Sequence, residues 1–175
     1  MPMVPLKPTP LQPREFFGGI WNGEGTIRPH PLVRWLFPID RFSFTSQAIW
    51  LSDAVWMVEE EYQFSSGDAM NRRMFVRRTS HDRLHVTADD MPLGADILLE
   101  ATGFSFTPYY VESPYRGRRW RLRCVDDCKL DENGVVHDMN KMYFHGILVC
   151  TMDLVITIKR SVTPVTVTDA QRRTA

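Results

Sequence analysis

No run of about 18 consecutive apolar residues occurs in this 175-residue chain, so no helix able to span a bilayer is encoded. Charge of one sign is lacking too. Lys plus Arg and Asp plus Glu both count 21, a balance that argues against a nucleic-acid partner. The nearest approach to a basic patch, Arg116, Arg118, Arg119, Arg121 and Arg123, falls mostly on alternate strand positions, as expected of a solvated face. Cysteine is scarce: Cys124, Cys128 and Cys150 form no paired Cys-x-x-Cys units, which predicts reduced thiols and a cytoplasmic setting. Metal-binding spacings such as His-x-His or His-Glu-x-x-His are missing, so neither a metal nor another cofactor is expected. Missing as well are a Gly-x-Ser-x-Gly elbow and a Gly-rich phosphate loop leading into a helix. The segment Met1–Pro13 holds five prolines but neither an apolar h-region nor a nearby Cys, which predicts no secretory or lipoprotein leader. Helical periodicity is almost absent, with short candidates only at Pro13–Phe17 and Leu32–Phe37.

Period-two alternation is what the chain has in abundance. It predicts strands over Ile20–Arg28, Phe42–Leu51, Val55–Phe64, Arg72–Thr79, Arg83–Ala88, Ile97–Ala101, Gly103–Glu112, Trp120–Val125, Val135–Leu148 and Val149–Arg160. Turn chemistry separates several of them: Ser65-Ser66-Gly67-Asp68, Ser80-His81-Asp82 and Asp131-Glu132-Asn133-Gly134. The expected fold is all-β, an antiparallel up-and-down barrel of about 8–10 strands. One domain over residues 14–160 is expected between a Pro-rich tail, 1–13, and a polar tail, 161–175. A barrel of that size commonly encloses a small-ligand cavity.

Strand parity picks out polar residues in apolar rows. Between Val55 and Phe64 the row Trp56, Val58, Tyr62 and Phe64 also contains Glu60. A carboxylate there is costly unless it is paired, hydrogen-bonded or protonated. The hairpin through Ser65–Asp68 brings Arg72 opposite Glu60, on a face shared with Met74 and Val76. The row Trp120, Leu122, Cys124 continues to Asp126, and Asp138 and Asn140 share a row with Met142 and Phe144. The opposite face of that last strand carries Met139, Lys141, Tyr143 and His145. Such a set either fixes barrel register as a satisfied internal network or orients a ligand at the base of an apolar cavity.

With these residues in view the chain resembles a bacterial family known as domain of unknown function 3833. The resemblance runs from about Glu15 to Lys159. It rests on Phe16-Phe17-Gly18-Gly19, on Glu60 through Gly67, on Ala88-Asp89-Asp90, on Asp126-Asp127 and on Met142 with Gly146. It implies a calycin- or lipocalin-like barrel. The chain departs from the family pattern at Ser66-Gly67, at Cys128 after the paired aspartates, at Asp138-Met139, and in lacking an anchoring Cys. The stretch Gly19-Ile20-Trp21-Asn22-Gly23-Glu24-Gly25 also looks like the opening strand of nitrobindin-type haem barrels. That likeness implies either a Trp plugging one barrel end or a haem held by His137 or His145.

The expected function is binding of a small apolar ligand, fatty-acyl or polyketide-like. The lining residues expected are Trp56, Val58, Phe64, Met74, Trp120, Met142 and Phe144, with Asn140 beside them and Arg72 orienting a ligand carboxylate. The alternative is a cofactor-free isomerase, cyclase or dehydratase. There Glu60 or Asp126 serves as general acid or base and Tyr62 or Tyr143 polarises a carbonyl. Pairing of edge strands into a homodimer is a further expectation.

Overall fold

The computed structural model describes residues 10–35, 38–115 and 118–159. Residues 1–9 of the expected N-terminal tail, the whole expected tail at 161–175, the end of the Leu32–Phe37 helical stretch, and Arg116 of the basic run lie outside the described residues. Eleven strands follow one short helix, α1 (Pro13–Phe17): β1 (Ile20–Pro29), β2 (Asp40–Trp50), β3 (Val55–Phe64), β4 (Ala69–Arg78), β5 (Arg83–Ala88) and β6 (Met91–Glu100). The chain continues through β7 (Gly103–Phe106), β8 (Tyr109–Tyr115), β9 (Arg118–Leu130), β10 (Val135–Phe144) and β11 (Ile147–Lys159). All pairings are antiparallel, and β10 bonds to both β9 and β11, which closes the sheet on itself. β7 and β8 both pair with β9, end to end, so they form a single wall strand interrupted at Thr107–Pro108. Counted that way, ten strands enclose the barrel.

Alternation decides what faces inward. Phe42, Phe44, Ser46, Ala48 and Trp50 of β2 are buried, while every residue between them is more exposed. β3 and β4 do the same through Trp56–Phe64 and Arg72–Val76. One end of the barrel is closed by aromatic rings. Trp50 and Trp56 pack with tilted rings 4.5 Å apart, and α1 lays Phe16 and Phe17 against Trp21, with ring centroids 5.1 and 5.3 Å away. Phe104 completes the plug, 5.7 Å from Phe16. Pro13 at the first turn sets the helical φ in advance, and Gly18 ends the helix. Trp21 is thus a plug, as one of the two readings of its motif implies. Gly25 makes room for the upper wall instead: a Cβ there would lie 2.2 Å from the Phe42 ring.

Several boundaries differ from the expected ones for physical reasons: β6 begins at Met91 rather than Ile97, and the expected Gly103–Glu112 strand is divided into β7 and β8. The run Val135–Leu148 is not a continuous strand, because His145 (φ 48°) and Gly146 (φ 83°) make a tight turn with two positive φ values, the geometry favoured in two-residue hairpins. The helical candidate at Leu32–Phe37 is a single 3-10 turn over Pro31–Val33, with His30 Nδ1 accepting from the Leu32 N–H at 3.4 Å. Leu32 and Trp35 stay exposed. β9 in turn extends beyond Val125, since Cys128 and Leu130 continue its inward row.

Gly103 makes a close backbone approach across two strands. Its φ is +156°, and a Cβ would fall 2.1 Å from the Cys128 carbonyl oxygen across the β7–β9 pairing. Neither backbone can yield without breaking the junction that closes the barrel. Gly103→Ala is therefore expected to cost about 2–4 kcal/mol. Chemical denaturation reads this directly, and an unchanged midpoint would show that the junction relaxes freely.

Candidate functional site

The barrel interior holds a cavity of about 1040 Å³. Its upper walls are apolar: Phe42, Phe44, Phe64, Met74, Val111, Met142, Phe144 and Met152 among others. The mouth lies opposite the plug, where Pro29, Asp40, Met70 and Val149 reach the rim. Of the residues expected at the site, Trp56, Val58, Glu60, Tyr62, Phe64, Arg72, Met74, Trp120, Asp126, Asn140, Met142 and Phe144 all line this cavity. Tyr143 is the exception. Odd positions of β10 face outward, and its ring lies 5.8 Å from the Arg123 guanidinium. Tyr143 therefore does not reach anything bound inside. The two histidines named as haem ligands also stand off the cavity. His137 is on the outer face beside Asp131 at 3.3 Å, and His145 packs on Phe144 in the turn.

Half-way down, the apolar lining gives way to a polar belt. Register places Ser46, Glu60 and Arg72 side by side on β2, β3 and β4. Glu60 is 8% exposed and Ser46 is 6%. The Tyr62 hydroxyl donates to Glu60 Oε2 at 2.9 Å, and Arg72 Nη1 lies 3.8 Å from the same oxygen. Arg72 Nε donates to Asp90 Oδ1 at 3.1 Å, so this guanidinium is flanked by two carboxylates. Burial raises the Glu60 pKa, although the Arg72 charge and the Tyr62 hydroxyl act against that. Burial also works against the Arg72 charge, and Glu60 with Asp90 more than offsets it.

The other half of the belt lies on β8, β9 and β10. Asp126 stands opposite Asn140, and Cys128 opposite Asp138. The Tyr109 hydroxyl donates to Asp126 Oδ2 and accepts from Asn140 Nδ2 at 3.3 Å. Burial first, then the charge of Asp138, push the Asp126 carboxyl well above the usual carboxylate range. Burial likewise lifts Asp138 to about 6, with the Cys128 thiol bonded to it pulling the other way. Cys124 and Cys150 are raised to about 12 and about 11, chiefly by burial, so neither is an activated thiolate. Among the described residues no group of three or more His, Cys, Asp or Glu is placed to hold a metal ion.

Three belt residues were not among the expected site residues. Tyr109 is hidden by the break at Thr107–Pro108. A strand continued unbroken from Phe104 and Phe106 would point Tyr110 inward, but the break inverts parity. Tyr109 is buried, and Tyr110 instead lies 4.6 Å from the Arg121 guanidinium outside. Ser46 had a readable signal, being the lone hydroxyl in the row Phe42–Trp50. Asp90, in the β5–β6 turn, is 18 residues from Arg72 and meets it only through the hairpin pairing.

Residues 6–159 match the profile of a family described as a protein of unknown function, DUF3833. The fold is similar to the S-type phycobiliprotein lyase CPES from Guillardia theta: TM-score 0.59, 9% identity, 87% of this chain and 95% of that one. It is also similar to a protein of unknown function from the DUF3598 family of Nostoc punctiforme: TM-score 0.54, 17% identity, 91% of this chain and 54% of that one. At these identities the likeness concerns the fold alone. No curated protein matches the chain. No described helix is long and apolar enough to cross a membrane.

Proposed function

The chain belongs to the DUF3833 family, and from that premise we propose that it binds one small, largely apolar molecule, fatty-acyl or polyketide-like, inside the barrel. The observation that carries this reading is the cavity: about 1040 Å³, apolar along its walls and crossed by a polar belt at mid-depth. That volume falls at the upper end of what ligand pockets of about 300–1,000 Å³ provide, which suits a bulky or long-chain molecule. A fold neighbour named as a phycobiliprotein lyase supports treating such a barrel as a holder of a small organic molecule or chromophore. Arg72 contributes one donor, Nη2, which has no hydrogen-bond partner among the described residues. Its charge is already met by Glu60 and Asp90, so this donor suits a neutral ligand carbonyl better than a free carboxylate.

Native mass spectrometry of freshly purified protein, followed by organic extraction, tests the proposal. One non-protein mass per chain, released into organic solvent, is the expected result. A protein that purifies empty and takes up no acyl or polyaromatic probe at micromolar concentration would overturn it.

A second reading has its own observation. The Tyr109–Asp126 pair is buried, hydrogen-bonded and held in the cavity wall, and burial favours the neutral acid at Asp126. In this reading the pair protonates or polarises a bound carbonyl during isomerisation, cyclisation or dehydration. Glu60 is less suited to that task, because Arg72 and the Tyr62 hydroxyl both favour its charged form. Turnover of the extracted ligand, lost in Asp126→Asn with binding retained, separates catalysis from carriage.

A further inference from the structure

Hydrogen-bonding capacity around the polar belt does not balance. On the β9–β10 side three oxygens, Asp126 Oδ1, Asp138 Oδ1 and Asn140 Oδ1, are buried without a hydrogen-bond partner among the described residues. Asn140 is only 3% exposed and Asp126 only 7%, and all three residues line the cavity. Asn140 Nδ2 is turned to Tyr109, which leaves Oδ1 as the free end of the amide. Facing them across the barrel is Arg72 Nη2, while the other unpartnered buried donors, Nε1 of Trp21, Trp50 and Trp56, lie at the plugged end. The charge tally leans the same way. Glu60, Asp90, Asp126 and Asp138 contribute carboxyls to the belt, against the single guanidinium of Arg72.

Buried acceptors left unmatched are costly, and a ligand that supplies donors recovers that cost. A free carboxylate would do the reverse, setting more acceptors and one more negative charge against oxygens that already lack donors. We propose that Asp126, Asp138 and Asn140 form a subsite for a hydrogen-bond-donating polar end, so that the occupant is an acyl amide or hydroxyl-bearing amphiphile rather than a free acid. Its N–H and O–H groups donate to Asp138 Oδ1 and Asn140 Oδ1, beside Asp126, while its carbonyl accepts from Arg72 Nη2. Its chain runs along the apolar wall towards Phe42, Phe64 and Phe144. The subsite rests on the proposal that the cavity binds an apolar ligand, and adds to it the chemistry of the polar end.

Three probes with the same twelve-carbon acyl chain separate the two statements. N-(2-hydroxyethyl)dodecanamide has a carbonyl and two donors, methyl dodecanoate has a carbonyl and no donor, and dodecanoate is the free acid. Competition against a fluorescent apolar dye at pH 7.5 is expected to rank the amide about tenfold or more tighter than the ester, with the acid weakest. In Asp138→Asn, which keeps the shape but makes the subsite part donor, that preference is expected to fall to about threefold or less. Equal binding of amide and ester, or tightest binding of dodecanoate, would overturn the subsite and leave the cavity reading standing. Failure of all three probes would overturn both. A preference that survives in Asp138→Asn and in Asn140→Ala would also refute it, since the donors would then be met elsewhere.

Discussion

Replacing Arg72 with methionine is expected to destabilise the fold by about 3 kcal/mol or more. Arg72 is about one-fifth exposed, with Glu60 3.8 Å away on one side and Asp90 at 3.1 Å on the other. Methionine keeps the length and apolar stem of the side chain but removes the only guanidinium of the belt. Glu60, at 8% exposure, would keep its burial penalty and lose the nearest charge that offsets it. Breaking a buried pair from one side is damaging because the remaining charge is uncompensated, whereas removing both partners is often close to neutral. The double variant Glu60→Gln/Arg72→Met should therefore recover much of the loss. Urea denaturation of the four proteins in that cycle gives the coupling directly. An Arg72→Met midpoint equal to the wild type, or a double variant no better than the single, would show that the pair contributes nothing to the fold.

The second large effect is a stability profile tilted towards acid. Burial raises Asp138 from the ordinary value of 3.8 to about 6, and Asp126 is raised in the same direction. For a carboxyl whose folded pKa exceeds its unfolded one, the contribution is fully present below the unfolded pKa, near 4. It is lost as the pH rises through the folded one. The shift at Asp138 corresponds to a change on the order of 3 kcal/mol between about pH 4 and pH 7. Because the two acids sit on adjacent strands and the charge of Asp138 raises Asp126, their titrations belong to the pair. Asp138→Asn, which cannot ionise, is expected to flatten the acid-to-neutral decline and to be more stable than the wild type at pH 7. Midpoints of urea denaturation from pH 4.5 to 8 read both. A wild-type stability that climbs steadily over that range, as paired surface carboxylates would give, would contradict this account of the belt. The same variant should weaken preference for donor-bearing ligands, so stability and selectivity would move in opposite directions at one residue. Such a trade is the mark of a group held in an unfavourable state for its ligand.

Much of the wall was legible in the amino-acid order because strand faces alternate with period two. Once Trp56, Val58, Tyr62 and Phe64 form one row, Glu60 must share it, and the Ser65–Asp68 turn then sets Arg72 opposite. The same local rule gave the inward rows containing Asp126 and Asn140, and the outward position of Tyr143 next to them. Local rules fail where one residue is inserted. The break at Thr107–Pro108 exchanges Tyr109 for Tyr110, and the His145–Gly146 turn splits a run that reads as continuous strand.

What the sequence alone determined is therefore the fold class, the inward rows and the Glu60–Arg72 partnership, all consequences of alternation and short turns. Closure, and everything measured across the barrel, belonged to the tertiary structure. Only the β9–β10 and β10–β11 pairings together join the two ends of the sheet. The β8–β9 and β9–β10 pairings bring Tyr109, Asp126 and Asn140 into one hydrogen-bonded group, with partners up to 31 residues apart in the chain. Parity specifies which face a side chain takes but not how far strands are staggered, and the stagger decides which polar groups share a depth in the barrel.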